Sequence, residues 1–384
     1  MKKNIAVTFP QLHEFGGGEI FCEHVCNLFQ KYYQVDLYFY KKKKINQNIQ
    51  FNKKIKVIGL KSSNKLLDFF CSRFIFIAQL YLIFNFEKNL NKKNYSFIFS
   101  AAGEFLSKKF KVFQYIHHPF YSLNPKMYFA LGAKFYEIHK ISARFLVSFF
   151  VRIYFCFNKN FFDKNTTFVN SKWTKKRFFK IYKKNSKIIY PTFNMINQQK
   201  VSHFKFDKRQ NNFLILGRVG YDKKTFECLN FFLNFKKKYK HLKIGKLLII
   251  GPIPMYLKGK VDYLQKKYSN DVYFYGHVSY KLRDKILSLN KYGLHFSLEE
   301  HFGRSILEMK KRGVITFCHN SGGAKEIILS KLQRFENLDN LERLILNILK
   351  SENLRKMLVV KNFKNSQIKF NNEEFNEKLI ASLI

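Results

Sequence analysis

The sequence predicts an α/β protein of two domains, each built on an open parallel sheet. Three observations carry this. Short apolar runs of strand length alternate with longer helical stretches along the chain. The runs fall into two groups, separated by a polar, basic stretch between about Asn194 and Asn212. The stretch from Leu294 to Ile328 reads as strand, loop, helix, strand, loop and helix in succession. With 384 residues, 46% of them hydrophobic, the chain can fill two cores.

In the first group, Ile5 to Phe9 is a strand, and Gly16-Gly17-Gly18 opens a helix running from Ile20 to about Tyr32. Glycines between a first strand and first helix let backbone approach a ligand, or simply make a flexible turn. Val35 to Tyr40 is the next strand, and Lys41 to Asn52 reads as a loop. Leu66 to Phe86 is strongly apolar but interrupted by Arg73, Gln79 and Asn85, which suits a buried or interface-lying helix. Tyr95 to Ser100 and Val112 to Ile116 are strands, the second ending in His117-His118-Pro119. A histidine there either points into the crevice and meets a hydroxyl group, or caps the strand. Tyr121 to Phe162 reads as helical. Its part from Phe145 to Phe157, with Arg144 and Arg152 at the edges, fits a membrane interface or an ordinary core. Thr166 to Asn170 is a strand, Ser171 an N-cap, and Ile188 to Pro191 the last strand of this half.

In the second group, Phe213 to Leu216 is a strand followed by Gly217-Arg218-Val219-Gly220-Tyr221-Asp222-Lys223-Lys224. Leu247 to Ile250 and Val272 to Tyr275 are strands, and Tyr280 to Asn290 a helix. Leu294 to Leu298 leads through a polar turn, Glu299 to Gly303, into a helix with Ile306, Leu307 and Met309 apolar. Lys310, Lys311 and Arg312 are its charged residues, and Gly313 closes it. Val314 to Cys318 is the next strand, Ser321-Gly322-Gly323 its loop, and a helix starts near Ala324. Both loops lie at carboxyl ends of strands, where open parallel sheets bind ligands.

Glu300 sits in the first of these loops and Glu308 about two turns along the helix. Amides around Phe302 to Ser305 face the same crevice and suit a phosphate. Carboxylates for hydroxyls beside amides for phosphate describe a nucleotide-sugar site. The plainer alternative is that Glu300 caps the helix and Glu308 is solvated.

The Glu300-x7-Glu308 spacing resembles the signature of the retaining GT-B glycosyltransferases of the family 4 type. The motifs YIHHP, NSKWT, YPTF, EEHFG and HNSGGAKEII carry the likeness through both halves. EEHFG, HNSGGAKEII and YIHHP are most similar to mannosyltransferases that extend lipid-linked oligosaccharides. The resemblance implies two Rossmann-like domains facing across a cleft: residues 1–195 for the acceptor, 205–355 for the nucleotide sugar, and 356–384 as a C-terminal helical segment returning to the first. It implies that Glu308 binds the ribose and Glu300 the hydroxyls of the transferred hexose. Arg218 and Lys223, five positions apart, would hold the diphosphate, assisted by amides at Phe302 and Gly303. Gly17 and Gly18 would border the cleft, and His117, with His118 as its neighbour, would contact the sugar. Arg304 departs from the small or aliphatic residue usual after the glycine; it would add a diphosphate contact or block the pocket.

The implied donor is a GDP- or UDP-sugar, the acceptor a glycan or lipid-linked glycan. No Asp-x-Asp motif is present, so neither metal nor cofactor is expected at the diphosphate. The net charge of +44 points to an anionic partner, such as an anionic membrane face, or to coding bias toward lysine. Six sparse cysteines suit reduced thiols in the cytoplasm; Cys22-Glu23-His24-Val25-Cys26 reads as buried cysteines sooner than as a metal site. Met1 leads straight into the first strand, so no signal peptide is expected, and no apolar run reaches spanning length. The expected place is the cytoplasm, peripheral to the cytoplasmic face of a membrane. Two other classes remain: a non-catalytic protein with the same fold, and a basic nucleic-acid-binding protein, for which no specific module is visible.

Overall fold

The computed structural model describes residues 2–13, 16–89, 94–122, 138–191 and 206–383. These fall into two compact units, one formed by residues 2–122, 138–191 and 372–383 and the other by 206–371.

The first unit holds strands β1 (Asn4–Phe9), β2 (Gln34–Tyr40), β3 (Lys56–Leu60), β4 (Ile98–Ser100), β5 (Val112–Ile116), β6 (Thr166–Val169) and β7 (Lys187–Ile188). They make one parallel sheet in the order β3-β2-β1-β4-β5-β6-β7. Its helices are α1 (Gly17–Phe29), α2 (Lys65–Arg73), α3 (Ile75–Asn85), α4 (Ile138–Phe157), α5 (Lys159–Asp163) and α6 (Lys172–Tyr182). Along β1 the side chains alternate between two cores, as the strand's period of two requires. Ile5, Val7 and Phe9 pack with Cys22, Val25 and Phe29 of α1, while Ala6 faces Leu82 and Ile83 of α3 and Val151 and Phe155 of α4. Helices cover both faces, which is why the strands read as continuous apolar runs.

The second unit repeats the plan. It comprises β8 (Gln210–Leu216), α7 (Thr225–Lys238), β9 (Leu247–Ile250), α8 (Lys258–Lys267), β10 (Val272–Gly276), α9 (Tyr280–Leu289) and β11 (Asn290–His295). It continues with α10 (Arg304–Lys311), β12 (Ile315–His319), α11 (Ala324–Ile327), β13 (Arg334–Phe335), α12 (Leu338–Lys350) and α13 (Glu352–Lys369). The parallel order is β10-β9-β8-β11-β12-β13. Phe213 and Ile215 of β8 face Phe226, Leu229 and Phe232 of α7; Leu214 and Leu216 face Ile286 and Leu287 of α9 and Met309 of α10. Both units are therefore doubly wound, Rossmann-like sheets. In each the chain builds outward in one direction, then returns to build in the other. The turning points lie between β1 and β4 and between β8 and β11.

Several expectations need correction. The strand β3 replaces part of a stretch given no element, and its exposed, half-polar pattern explains why it hides. The apolar run from Leu66 to Phe86 is two helices, broken at Phe74, whose backbone is extended (φ −124°, ψ 111°). The last strand of the first unit ends at Ile188. The C-terminal return begins at Asn372: α13 belongs to the second unit, where Leu358 is buried, and α14 (Asn372–Ala381) brings Phe375 and Leu379 into the core of the first. Most of the linker expected at 194–212 and the start of the helical stretch from Tyr121 lie outside the described residues, as does the Arg144 side chain. Lys310 and Arg312, named above among the charged residues of a helix, are buried, at 1% and 6% exposure.

Candidate functional site

In an open parallel sheet the loops at the turning point separate, because the chain leaves the two neighbouring strands in opposite directions. The resulting crevice is the usual ligand site. In the second unit those loops are residues 217–224 after β8 and 296–303 after β11. Each supplies one member of an ion pair: Lys223 Nζ donates to Glu300 Oε2 at 2.8 Å. His295, the last residue of β11, places Nε2 3.3 Å from the same oxygen. Its Nδ1 lies 3.5 Å from Ser305 Oγ at the start of α10. Burial pushes the Glu300 carboxyl up, but the Lys223 charge and the His295 contact outweigh it and hold the group well below the usual carboxylate range. Burial likewise presses the Lys223 ammonium down, and Glu300 raises it above its ordinary value.

The loop bearing Glu300 is clamped by the loop after β12. Ser321 Oγ accepts from the Glu299 amide at 2.8 Å, and the Gly323 amide donates to the Glu300 carbonyl at 2.6 Å. A Cβ on Gly322 would collide with the Glu300 carbonyl oxygen and amide nitrogen, and Gly322 takes φ +67°. Glu299 itself holds φ +48°, a left-handed conformation that costs a non-glycine residue free energy and that the clamp sustains.

Glu308 is 5% exposed and lies on the face of α10 that meets α9. Arg304 Nε donates to its Oε1 at 2.8 Å, and Arg283 Nη1 of α9 stands 3.2 Å from its Oε2. The Arg283 guanidinium also lies over the Tyr280 ring, 4.4 Å from its centre. The idea of a solvated Glu308 is therefore excluded. Arg304, the unusual residue of the sequence, is engaged with this carboxylate. Gly303 caps α10 at φ +104°, and the first-turn amides that follow have no acceptor within the helix. The Phe302 side chain is buried against Phe370, 5.8 Å between ring centres, so only its backbone is available to a ligand.

Arg218 is turned to the surface and paired with Asp222 at 2.6 Å. It is half exposed and makes no contact here with Glu300, unlike Lys223. In the first unit, Gly17 and Gly18 start α1, and a Cβ on Gly18 would press on the Phe9 ring at 3.2 Å. His117 follows β5 with Nε2 3.1 Å from the Ala101 carbonyl, and its ring meets Phe21 of α1 edge-on at 4.6 Å. The start of α1 and His117 thus share the carboxyl end of the first sheet. Among the described residues no group of three or more His, Cys, Asp or Glu side chains is placed to hold a metal ion.

Sequence reasoning did not single out His295, Arg283 or Tyr280. His295 carried a signal, being a polar residue closing an apolar strand; the other two sit on α9 with nothing in their local pattern to mark them.

The two doubly wound units have the fold of the GT-B glycosyltransferases. Residues 197–364 match the family described as glycosyl transferases group 1. Among curated proteins the chain is similar to a GDP-Man:Man(3)GlcNAc(2)-PP-Dol alpha-1,2-mannosyltransferase of Eremothecium gossypii, 27% identical over 55% of this chain and 38% of the relative. A protein of the same name from Xenopus tropicalis is 27% identical over 56% of this chain and 47% of the relative. The chain spans less than half the length of these relatives. Among solved structures, sucrose-phosphate synthase from Thermosynechococcus elongatus superposes with TM-score 0.71 at 15% identity, over 100% of this chain and 98% of that one. Anabaena HepE in complex with UDP-glucose gives 0.66 at 12%, over 99% of each. WaaG, a glycosyltransferase of lipopolysaccharide biosynthesis, gives 0.67 at 13%, over 98% of each.

Proposed function

We propose that the protein is a retaining glycosyltransferase that moves a hexose from a nucleoside diphosphate sugar to a glycan or lipid-linked glycan. The observation that carries this is the Lys223–Glu300 pair joining the two loops at the turning point of the second sheet, with Glu308 on the helix that follows. Glu308 accepts from the ribose hydroxyls. Glu300 accepts from the hydroxyls of the transferred sugar. Lys223 meets the negative charge that grows on the departing diphosphate, with Arg218 swinging from Asp222 to join it and the α10 amides near Gly303 adding donors. A sugar contact for His117 is part of the same reading. The acceptor hydroxyl oxygen bonds to the anomeric carbon on the face from which the diphosphate leaves. Its proton passes to the phosphate oxygen that the broken bond sets free, so no enzyme nucleophile is needed. Mannose from a GDP donor is the choice supported by the names of the sequence relatives. Those names also support a lipid-linked acceptor; a site of action on the cytoplasmic face of a membrane is part of the same proposal.

A thermal-shift panel of GDP-, UDP- and ADP-sugars, followed by transfer assays in excess EDTA, tests the reading. GDP-mannose should stabilise the protein most, since a ligand that binds only the folded state shifts unfolding by mass action. Transfer should persist in EDTA because Lys223 and Arg218 provide the charge. Substituting either should lower turnover about 10²–10³-fold, the scale for one preorganised donor. Activity abolished by EDTA and restored by manganese would remove the cationic roles. A Lys223→Ala, Glu300→Gln variant with unchanged donor turnover would remove the function.

A further inference from the structure

The apolar side chains of the first unit are not all inside. On α2, Leu66, Phe69 and Phe70 are 67%, 57% and 38% exposed, and Ile75 at the start of α3 is 39% exposed. On α4, Leu146, Phe150 and Phe157 are 57%, 60% and 86% exposed. α3 and α4 touch through Phe84 and Tyr154, whose rings lie 4.7 Å apart, so these helices form neighbouring parts of one surface. Scattered exposed apolar residues need no explanation, but seven large ones over three neighbouring helices do.

Cations accompany the apolar set. A hollow of about 500 Å³ at the α2–α3 break is lined by Phe69 and Phe74 together with Lys42, Arg73 and Ser72. Lys42 belongs to the run Lys41 to Lys44, in which the other three are exposed. Lys65 at the start of α2 is exposed as well. The local acid, Asp68, is occupied by the Tyr40 hydroxyl at 2.5 Å and by Lys61 at 3.6 Å. Arg152, by contrast, is turned inward to the Ile181 carbonyl, which leaves the outer face of α4 apolar around Phe149 and Phe150.

We infer that α2, the α2–α3 hollow and the outer face of α4 form a docking surface for an anionic lipid bilayer. The aromatic rings enter the interface, while Lys42, Arg73 and the lysine run hold lipid phosphates. Apolar side chains rimmed by cations fit such a leaflet on both counts, whereas a second copy of this chain, itself strongly basic, would bring like charge to the same rim. The surface deepens the proposed function by placing a lipid-linked acceptor beside the first unit, but its test does not depend on activity.

The test is co-sedimentation of the whole protein with phosphatidylcholine vesicles made with and without phosphatidylglycerol, at low and high salt. Nucleoside diphosphate binding is measured on the same samples. The protein should pellet only with the anionic vesicles, and less at high salt. Phe69→Asn with Phe150→Asn should abolish pelleting, and each of Lys42→Gln and Lys43→Gln should weaken it about fivefold. All four side chains lie at the surface, so the melting temperature and nucleotide binding should stay unchanged. Protein that remains in the supernatant with anionic vesicles at low salt overturns the inference, as does a dimer in sedimentation velocity that Phe69→Asn dissociates. If vesicle binding fails while nucleotide binding holds, only the surface is wrong. The reverse outcome strikes the proposed function alone.

Discussion

A carboxylate as enclosed as that of Glu300 stays ionised only because of what faces it. Its folded value is depressed, so the stability it contributes is fully present above the ordinary glutamate value of about 4.3 and is lost as pH falls through the lower folded value. The unfolding free energies of the native protein and Glu300→Gln should therefore differ by a constant amount from neutral pH to about pH 5, converging only in stronger acid. Lys223 is about one-third exposed, and water screens its charge, so the plateau should be about 1 kcal/mol. Denaturant melts at several pH values measure it. Glu308 is enclosed differently, between two guanidinium groups. Glu308→Gln should weaken nucleoside diphosphate binding by about 1–3 kcal/mol, the scale for hydrogen bonds to a charged group. Arg283→Gln should weaken it less, because Arg304 still orients the carboxylate. Calorimetric titration of both variants checks the order, and equal losses would give Arg283 a direct contact with the ligand. Glu300 was legible in the sequence because it follows an apolar strand, where parallel sheets place ligand groups, and Lys223 was singled out by the family resemblance. Arg283 was not, because its role depends on how α9 packs against α10.

At the scale of elements, the fold holds its functional loops by contact between loops as well as by the sheet. Gly322→Ala would put a methyl group against the Glu300 backbone at a positive φ. It should destabilise the second unit by about 1–3 kcal/mol and lower transfer more than Ser321→Ala does, since it displaces Glu300 itself. Thermal melts with paired rate measurements decide this. The joint between α1 and α14 is sensitive to acid. Burial lowers the His24 pKa, against the opposing contact of its Nε2 with Asn376 Oδ1 at 2.8 Å. The stability from a neutral His24 is complete above the ordinary value of about 6.5 and is lost as pH falls through the lower folded value. Amide exchange in α14, corrected for intrinsic rates, should therefore quicken between about pH 7 and pH 5, and His24→Gln should flatten that change. The sequence predicted the central strands because burial on both faces makes them uniformly apolar. It missed β3, an edge strand with mixed exposure, and the break at Phe74, where an apolar run continues while the backbone turns.

Across the whole molecule the excess of positive charge is only partly a surface property. The two-sheet plan could be read from the order of apolar runs, but the fate of individual cations could not, since a long side chain can leave a helix in any direction. Lys311 donates to the Phe370 carbonyl at 2.8 Å, Arg209 to the Arg312 carbonyl at 2.8 Å, and Arg312 pairs with Asp284. Lys310 is the most enclosed of them, with Nζ 2.6 Å from the Ile327 carbonyl at the end of α11. An amine there is shut away from every reagent in the solvent. In a protein otherwise covered with reactive lysines, brief treatment with an acylating reagent should mark Lys240, Lys258 and their like and leave Lys310 untouched. Lys310 should acquire the label only when the second unit opens, so its acylation in peptide mass spectra, followed against denaturant, would time the unfolding of that unit from inside a crowd of signals that say nothing about it.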